Sequence, residues 1–95
     1  MEKFGHVMID IETMSDAPGG AIISIGAVEF NMETGKTGKE FYVNVSLQNS
    51  LDLGLTVTAN TIMWWLQQSD EARKSLTESS GEPLAAALQS FSGFI

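Results

Sequence analysis

The sequence predicts an α/β domain in which a three-stranded antiparallel sheet is followed by α-helices. Two observations carry this prediction. Apolar and β-branched residues recur at strand spacing between residues 6 and 46, and apolar residues recur at helical spacing from residue 58 onward. Turn-forming residues separate these segments. The chain has 95 residues, a length that suits one small domain or one part of a larger domain.

Three segments in the first half of the chain are predicted to be strands. Residues 6–12 are rich in apolar and β-branched side chains. Residues 21–31 are almost continuously apolar, which indicates a central strand buried on both faces. Residues 39–46 alternate apolar and polar side chains, as a half-buried strand does. A glycine-containing turn at residues 32–36 predicts that the second and third strands are antiparallel neighbours.

The second half of the chain is predicted to be helical after an irregular segment at residues 47–57. A helix is expected to open at residues 58–61. Its packed face would carry Ile62, Trp65 and Leu66, which are spaced three and four residues apart.

Two later segments also have helix signals. Ser69 can cap a helical segment, because acidic residues follow it in the first turn, where the helix dipole favours them. After a Ser-Ser-Gly linker at residues 79–81, a last helix is predicted to begin near Pro83. The predicted order is β-β-β-α-α, and residues 1–95 are expected to be the N-terminal portion of a single domain, since the chain ends on an apolar helical face. In the last helix, one apolar face is expected to carry Leu84, Leu88, Phe91 and Ile95, which recur at roughly helical spacing.

Composition limits the classes of protein to which the chain can belong. Twelve acidic residues against 5 basic residues give a net charge of −7, which is the wrong sign for binding nucleic acid through surface charge alone. Bound divalent cations would invert that field locally. The chain has no cysteine, no signal-peptide pattern and no apolar run long enough to span a bilayer. We therefore expect a cytoplasmic protein that does not enter a membrane.

Asp10 and Glu12 are the strongest candidates for chemistry. Residues two apart on a strand project from the same face, with their Cα atoms roughly 6.5–7 Å apart. Carboxylates at that spacing can converge on two divalent cations about 3.5–4 Å apart. Ile9 and Ile11 are expected to point the other way, into a core. Spacing alone leaves two alternatives open: metal ligands, or solvated carboxylates at the end of an amphipathic strand.

Three segments of the chain together resemble a known enzyme family. Residues 6–13 (HVMIDIET), residues 22–30 (IISIGAVEF) and residues 61–73 (TIMWWLQQSDEAR) resemble, in this order, the opening of DEDD-type 3′–5′ exonucleases of the ribonuclease H-like fold. The resemblance is closest to the exodeoxyribonuclease VIII-like branch found in phages and prophages. It implies a ribonuclease H-like α/β fold of which this chain holds a truncated, N-terminal part.

The resemblance also implies a mechanism and a set of residues. Asp10 would match the aspartate that bridges two Mg²⁺ or Mn²⁺ ions, and Glu12 the carboxylate that holds one ion and orients the attacking water. Thr13 and Met14 match positions that contact the terminal nucleotide. The implied reaction is hydrolysis of the last phosphodiester at the 3′ end of DNA or RNA. The substrate would be a single-stranded nucleic acid or another nucleic acid with a 3′ end. Nucleoside monophosphates would be released.

The chain departs from the family in its remaining ligands. The resemblance calls for four acidic ligands and a general base, and this sequence matches two of the acidic ligands. The chain is therefore expected to be inactive alone. Two other functions stay open: a non-catalytic prophage remnant, and a module that binds a metal or nucleic acid.

Two further expectations concern surfaces. Trp64 either packs against a second surface or faces the substrate, where its ring could stack on a base. The three-stranded sheet should expose an apolar edge, which a second copy of the chain could cover in a homodimer.

Overall fold

Three antiparallel strands form the centre of the molecule. The computed structural model describes residues 3–77 and 80–95, and its sheet has the order β1-β2-β3. The strands are β1 (His6–Thr13), β2 (Ile22–Phe30) and β3 (Thr37–Asn44). The sequence prediction of three strands, with the second in the middle and antiparallel to the third, is confirmed.

The turn between β2 and β3 is built on Asn31. Its side-chain oxygen Oδ1 accepts hydrogen bonds from the backbone N–H groups of Glu33 and Thr34, at 2.9 and 3.0 Å. Gly35 adopts a φ of 73°, a left-handed conformation that glycine enters without a steric penalty. Residues 32–36 are all exposed, so this turn projects from the sheet.

The described residues contain four helices after the sheet. The first was not predicted, because Leu47–Asp52 lies in the segment expected to be irregular. Its start is capped by the Ser46 side chain, which accepts a hydrogen bond from the backbone N–H of Asn49 at 3.1 Å. The helices are α1 (Leu47–Asp52), α2 (Ala59–Leu66), α3 (Asp70–Ser75) and α4 (Leu84–Phe94).

Two of the predicted helix starts are confirmed. Ser69 caps α3 by accepting a hydrogen bond from the backbone N–H of Ala72 at 3.2 Å. Pro83 stands at the N-cap of α4, one position before the first helical residue. Of the linker predicted at residues 79–81, residue 79 lies outside the described residues. No helix in the described part of the chain is long and apolar enough to cross a membrane.

The core lies between α4 and one face of the sheet. Its buried centre consists of Ile25, Val45 and Ala87. Phe41 packs between two α4 rings, with centroid distances of 5.8 Å to Phe91 and 5.5 Å to Phe94. Ala87 is completely buried, so the helix approaches the strands closely at this point.

Several residues predicted to be buried are exposed. Of the four residues predicted to share one face of α4, Leu84 and Phe91 pack on the core, whereas Leu88 and Ile95 are exposed because the buried face is centred on Ala87. On α2, Trp65 is buried as predicted. The prediction that Ile62 and Leu66 share that packed face is wrong, since both are exposed.

The prediction that Ile9 and Ile11 point into a core is also wrong. Their side chains are 53% and 50% exposed. They do share the sheet face that α4 covers, because Ile9 pairs with Ala27 and Ile11 with Ile25. However, the helix lies over β3 and not over β1. The edge strand β1 is thus left uncovered on both faces.

Candidate carboxylate site and its adjoining cavity

Asp10 and Glu12 lie on the sheet face opposite α4. The strand register places Asp10 beside Gly26, which is in turn beside Tyr42. In the next row on the same face, Glu12 lies beside Ser24, and Ser24 lies beside Asn44. We call the surface formed by these two rows the carboxylate face, and its residues are Asp10, Glu12, Ser24, Gly26, Tyr42 and Asn44.

Both carboxylates are exposed and without protein partners. Neither Asp10 nor Glu12 accepts a side-chain hydrogen bond or forms a salt bridge with any residue in 3–77 or 80–95. No third His, Cys, Asp or Glu joins them to form a metal-binding group within those ranges. Their oxygens are therefore available to a ligand from solvent.

The donor set fits a hard divalent cation. Magnesium prefers oxygen ligands and is commonly held in proteins by one or two carboxylates, with water and substrate phosphates completing its octahedron. Asp10 and Glu12 supply that number of carboxylates from one strand face. The pair thus meets the requirement for one bound ion, whereas a second tightly held ion would need further ligands.

Gly26 leaves a low point on the carboxylate face. A Cβ atom at this position would lie 3.7 Å from Cδ2 of Tyr42 and 3.8 Å from the carbonyl oxygen of Asp10, which are ordinary contact distances. With no side chain there, a shallow depression opens beside Asp10 and reaches Met8 on the same strand. A ligand can therefore approach the backbone of β2 closely next to the carboxylate.

A cavity of about 500 Å³ adjoins Glu12. Its floor is the end of the sheet, and its walls come from the start of α1 and the end of α3. Glu12 is the one charged residue among the described residues that line it, while Ile23, Leu47 and Leu76 provide apolar surface. A volume of this size is typical of pockets that hold small-molecule ligands. The remaining lining residues are Met14, Ser24, Tyr42, Asn44, Val45, Ser46, Gln48, Ser75, Thr77 and Ser80.

Thr13 and Met14 have different environments although they are adjacent. The Thr13 hydroxyl donates a hydrogen bond of 2.8 Å to the carbonyl oxygen of Ser15, so it supports the turn that follows β1. Met14 is buried and lines the cavity with Glu12. Its backbone is held on both sides, since its N–H donates to Ala21 at 2.9 Å and its carbonyl accepts from Thr58 at 3.0 Å.

Trp64 lies apart from the carboxylate face. Its ring is 52% exposed and meets Trp65 edge-on, with a centroid distance of 5.1 Å. It lines neither the cavity beside Glu12 nor the depression beside Asp10. Contact between Trp64 and a substrate stays a prediction.

Ser24, Tyr42 and Asn44 are the residues of the site that sequence reasoning did not find. A signal for Ser24 was present, because it is the one hydroxyl within the apolar run of β2. A polar side chain in such a strand needs a partner or a function. For Tyr42 and Asn44 no signal was available, because their place beside Asp10 and Glu12 depends on the register of three strands.

The fold and the comparisons together place the chain in a class of nucleases. A three-stranded antiparallel sheet followed by helices is an α/β arrangement consistent with part of a ribonuclease H-like domain. The family model described as "3'-5' exoribonuclease Rv2179c-like domain" matches residues 5–95. The chain belongs to this family of 3′–5′ exoribonuclease-like domains. Searches of curated proteins and of solved structures gave no match.

Proposed function

We propose that this chain carries part of the active site of a metal-dependent 3′–5′ exonuclease that removes terminal nucleotides from RNA. The observation that supports the proposal most directly is the pair Asp10 and Glu12, which is unpartnered within the described residues and of which Glu12 lines a cavity of about 500 Å³. The family description supports RNA as the substrate. The DEDD pattern and the prophage branch remain part of the proposal.

Asp10 and Glu12 would hold Mg²⁺ or Mn²⁺ at the edge of the cavity. When bound there, such an ion would supply Lewis-acid activation of the phosphodiester and would favour deprotonation of the attacking water. Glu12 lines the cavity, so an ion that it held would be within reach of the phosphate of a nucleotide placed there. Thr13 maintains the turn after β1, and Met14 forms part of the cavity wall.

Charge supports a requirement for the ion. The net charge of −7 repels a polyanion, and the described cavity lining contains no Lys or Arg to neutralise a phosphate. A divalent cation at Asp10 and Glu12 would reverse the local field. The neutral part of the cavity then suits the sugar and base of the terminal nucleotide.

Two-metal catalysis needs more ligands than the described residues bring together at Asp10 and Glu12. The two-metal proposal therefore includes further acidic ligands and a general base from outside these 95 residues, or from another subunit. His6 does not supply the base, because it lies four residues before Asp10 on β1, about 13 Å away along the strand, where its ring contacts Phe30.

Manganese binding tests the proposal on the chain itself. We expect the unsubstituted chain to bind Mn²⁺, and Asp10→Asn and Glu12→Gln each to weaken the binding at least about tenfold, because each removes a charged ligand. Glu33→Gln, at the exposed β2–β3 turn, is the matched control and should bind as the unsubstituted chain does. The titration can follow the electron paramagnetic resonance signal of free Mn²⁺. Equal binding by all four proteins would refute the site.

A nuclease assay accompanies the titration. With 3′-labelled single-stranded RNA and DNA and added Mn²⁺, we expect the chain alone to release little or no mononucleotide. Rapid release that disappears in Asp10→Ala would show that the two carboxylates suffice, and would overturn the need for further ligands.

The second candidate function is a non-catalytic module, such as a prophage remnant that binds a metal or nucleic acid. The specific observation that favours it is the absence of a third acidic or histidine ligand near Asp10 and Glu12 within the described residues. Supplying further acidic ligands and a general base, on a longer chain or a second subunit, would separate the two candidates, since a remnant would stay inactive.

We also propose that a second copy covers the free edge of β1. Ile9 and Ile11 are half exposed there, and an uncovered apolar edge strand promotes pairing with another chain. Sedimentation velocity should reveal a dimer that Ile9→Lys weakens. A stable monomer at high concentration would contradict this proposal.

A further inference from the structure

Ser24 has a side-chain hydroxyl that forms no hydrogen bond with any described residue. Its side chain is buried, with 6% of the residue exposed, yet it has no hydrogen-bond partner among the described residues. Within the same ranges, no completely buried side-chain oxygen or nitrogen lacks a partner. The Ser24 hydroxyl therefore keeps its small exposure, and the space that it reaches is the cavity that it lines.

Ser50 provides the contrast. This residue is also buried in the same region of the fold, but its hydroxyl donates to the carbonyl oxygen of Ile22 at 3.2 Å. The buried hydroxyl of Ser50 is thus satisfied by the backbone. The Ser24 hydroxyl, which lies where the cavity opens, has no such bond among the described residues.

Asn44 is held beside Ser24 in an orientation that leaves its donors free. The Tyr42 hydroxyl donates a hydrogen bond of 3.1 Å to Oδ1 of Asn44. The amide nitrogen Nδ2 has no acceptor in the described part of the chain, and Asn44 lines the cavity. One hydroxyl and one amide N–H₂ group are consequently presented side by side to any ligand in the cavity.

The position of this pair relative to Glu12 indicates which part of a nucleotide it would meet. Glu12, Ser24 and Asn44 follow one another across the three strands, so neighbouring Cα atoms are about 5 Å apart. A phosphate held through an ion at Glu12 would have the sugar as its directly bonded neighbour. In a nucleotide that extends from there along the cavity, the sugar would lie beside Ser24 and Asn44, and the base further along the apolar wall.

We propose that Ser24 and Asn44 recognise the 2′-hydroxyl of the terminal ribonucleotide and so select RNA over DNA. This inference rests on the proposed function, and it assigns recognition of the ribose to Ser24 and Asn44. The 2′-hydroxyl both donates and accepts hydrogen bonds. The 2′-hydroxyl can accept a hydrogen bond from Nδ2 of Asn44 and can donate one to the Ser24 hydroxyl oxygen, while Tyr42 positions the Asn44 amide.

The expected selectivity follows from the cost of leaving such groups unpaired. A site built to hydrogen-bond a hydroxyl disfavours the analogue that lacks it, since its own polar groups then lose their partner. With two modest hydrogen bonds, we expect AMP to bind about tenfold more tightly than dAMP.

Nucleotide binding to the full chain in the presence of Mn²⁺ tests the inference. The probes are AMP and dAMP, with dissociation constants measured by NMR titration. Ser24→Ala should weaken AMP binding about two- to tenfold and leave dAMP binding unchanged. Tyr42→Phe is a mild change at an exposed ring. It should reduce the preference for AMP over dAMP, measured as the ratio of their dissociation constants, by a smaller factor than Ser24→Ala does. Ser92→Ala makes the same chemical change on the exposed side of α4 and should have no effect.

The outcomes separate this inference from the proposed function. If the unsubstituted chain binds neither nucleotide, both are overturned. If it binds AMP and dAMP equally, and Asp10→Asn abolishes both, the metal site stands and the sugar selectivity is wrong. If Ser24→Ala weakens both nucleotides by the same factor, Ser24 shapes the cavity and does not read the 2′-hydroxyl. A melting curve for each variant shows whether it is folded. If Ser24→Ala is unfolded, the AMP and dAMP dissociation constants of Tyr42→Phe decide between these outcomes.

Discussion

Replacing Gly81 by alanine should destabilise the molecule more than any other single glycine substitution of this kind. Gly81 has a φ of 80°, and a Cβ atom there would lie 2.5 Å from the carbonyl carbon of Val45 and 2.6 Å from the backbone nitrogen of Ser46. Neither atom can shift to relieve the contact, because hydrogen bonds of the next residue, Glu82, hold this backbone in place. The N–H of Glu82 donates to Asn44, and the carbonyl of Glu82 accepts from Ser46, both at 2.8 Å.

The magnitude is the sum of two effects. A non-glycine residue in the left-handed region costs about 1–2 kcal/mol. Forcing a methyl group against fixed backbone adds about 1–3 kcal/mol, as overpacking does elsewhere. The expected loss is therefore about 2–5 kcal/mol. A domain of this length has a total stability of about 5–14 kcal/mol, so the variant should retain only a small margin.

Gly35→Ala is the matched control for this prediction. Gly35 has nearly the same φ, 73°, but a Cβ atom there would have nothing within 4 Å. It should therefore lose only the conformational part, about 1–2 kcal/mol. Urea unfolding followed by circular dichroism measures both variants. Equal losses for Gly81→Ala and Gly35→Ala would refute the steric argument and leave backbone conformation as the sole cause.

Two further substitutions test contacts around the site. Gly20→Ala places a Cβ atom 2.6 Å from Cβ of Ser15, so it should lower the free energy of unfolding by about 1–3 kcal/mol. Gly5→Ala is the matched control, because a Cβ atom at Gly5 would have nothing within 4 Å, and it should leave the free energy of unfolding nearly unchanged. Asn49→Ala removes the side-chain oxygen that accepts the N–H of Leu84 at 2.8 Å, and the loss of this cap on α4 should lower the melting temperature and cost about 1 kcal/mol, with an unchanged melting temperature contradicting the capping role.

The strands could be predicted from the sequence because their signals are local. The alternation in β3 and the glycine-containing turn at residues 32–36 both depend on neighbours in sequence, and the structure has the strand and the turn where they were expected. The helix α1 was missed because Leu47–Asp52 is short and mixed in polarity. The signal that could have revealed it is the Ser46 cap, a single hydroxyl before a segment with weak helical periodicity.

Predictions that depended on distant residues were less successful. Ile9 and Ile11 were expected in a core because they are apolar, but burial requires a covering element, and α4 covers β3 instead. Asp10 and Glu12, by contrast, could be identified as a pair, because their spacing on one strand is a local feature. Their neighbours Ser24 and Asn44 could not be identified, since the register of three strands sets that proximity.

The exposed turn between β2 and β3 offers a practical route for attaching probes. It joins the strands at the end where Phe30 pairs with Thr37, whereas the cavity lies at the end where Ser24 pairs with Asn44. Phe30 is six positions after Ser24 on β2, a distance of about 20 Å. A cysteine introduced at Met32 would be the only thiol in a chain that has none, and a fluorophore or surface tether there would leave the entrance beside Glu12 unobstructed.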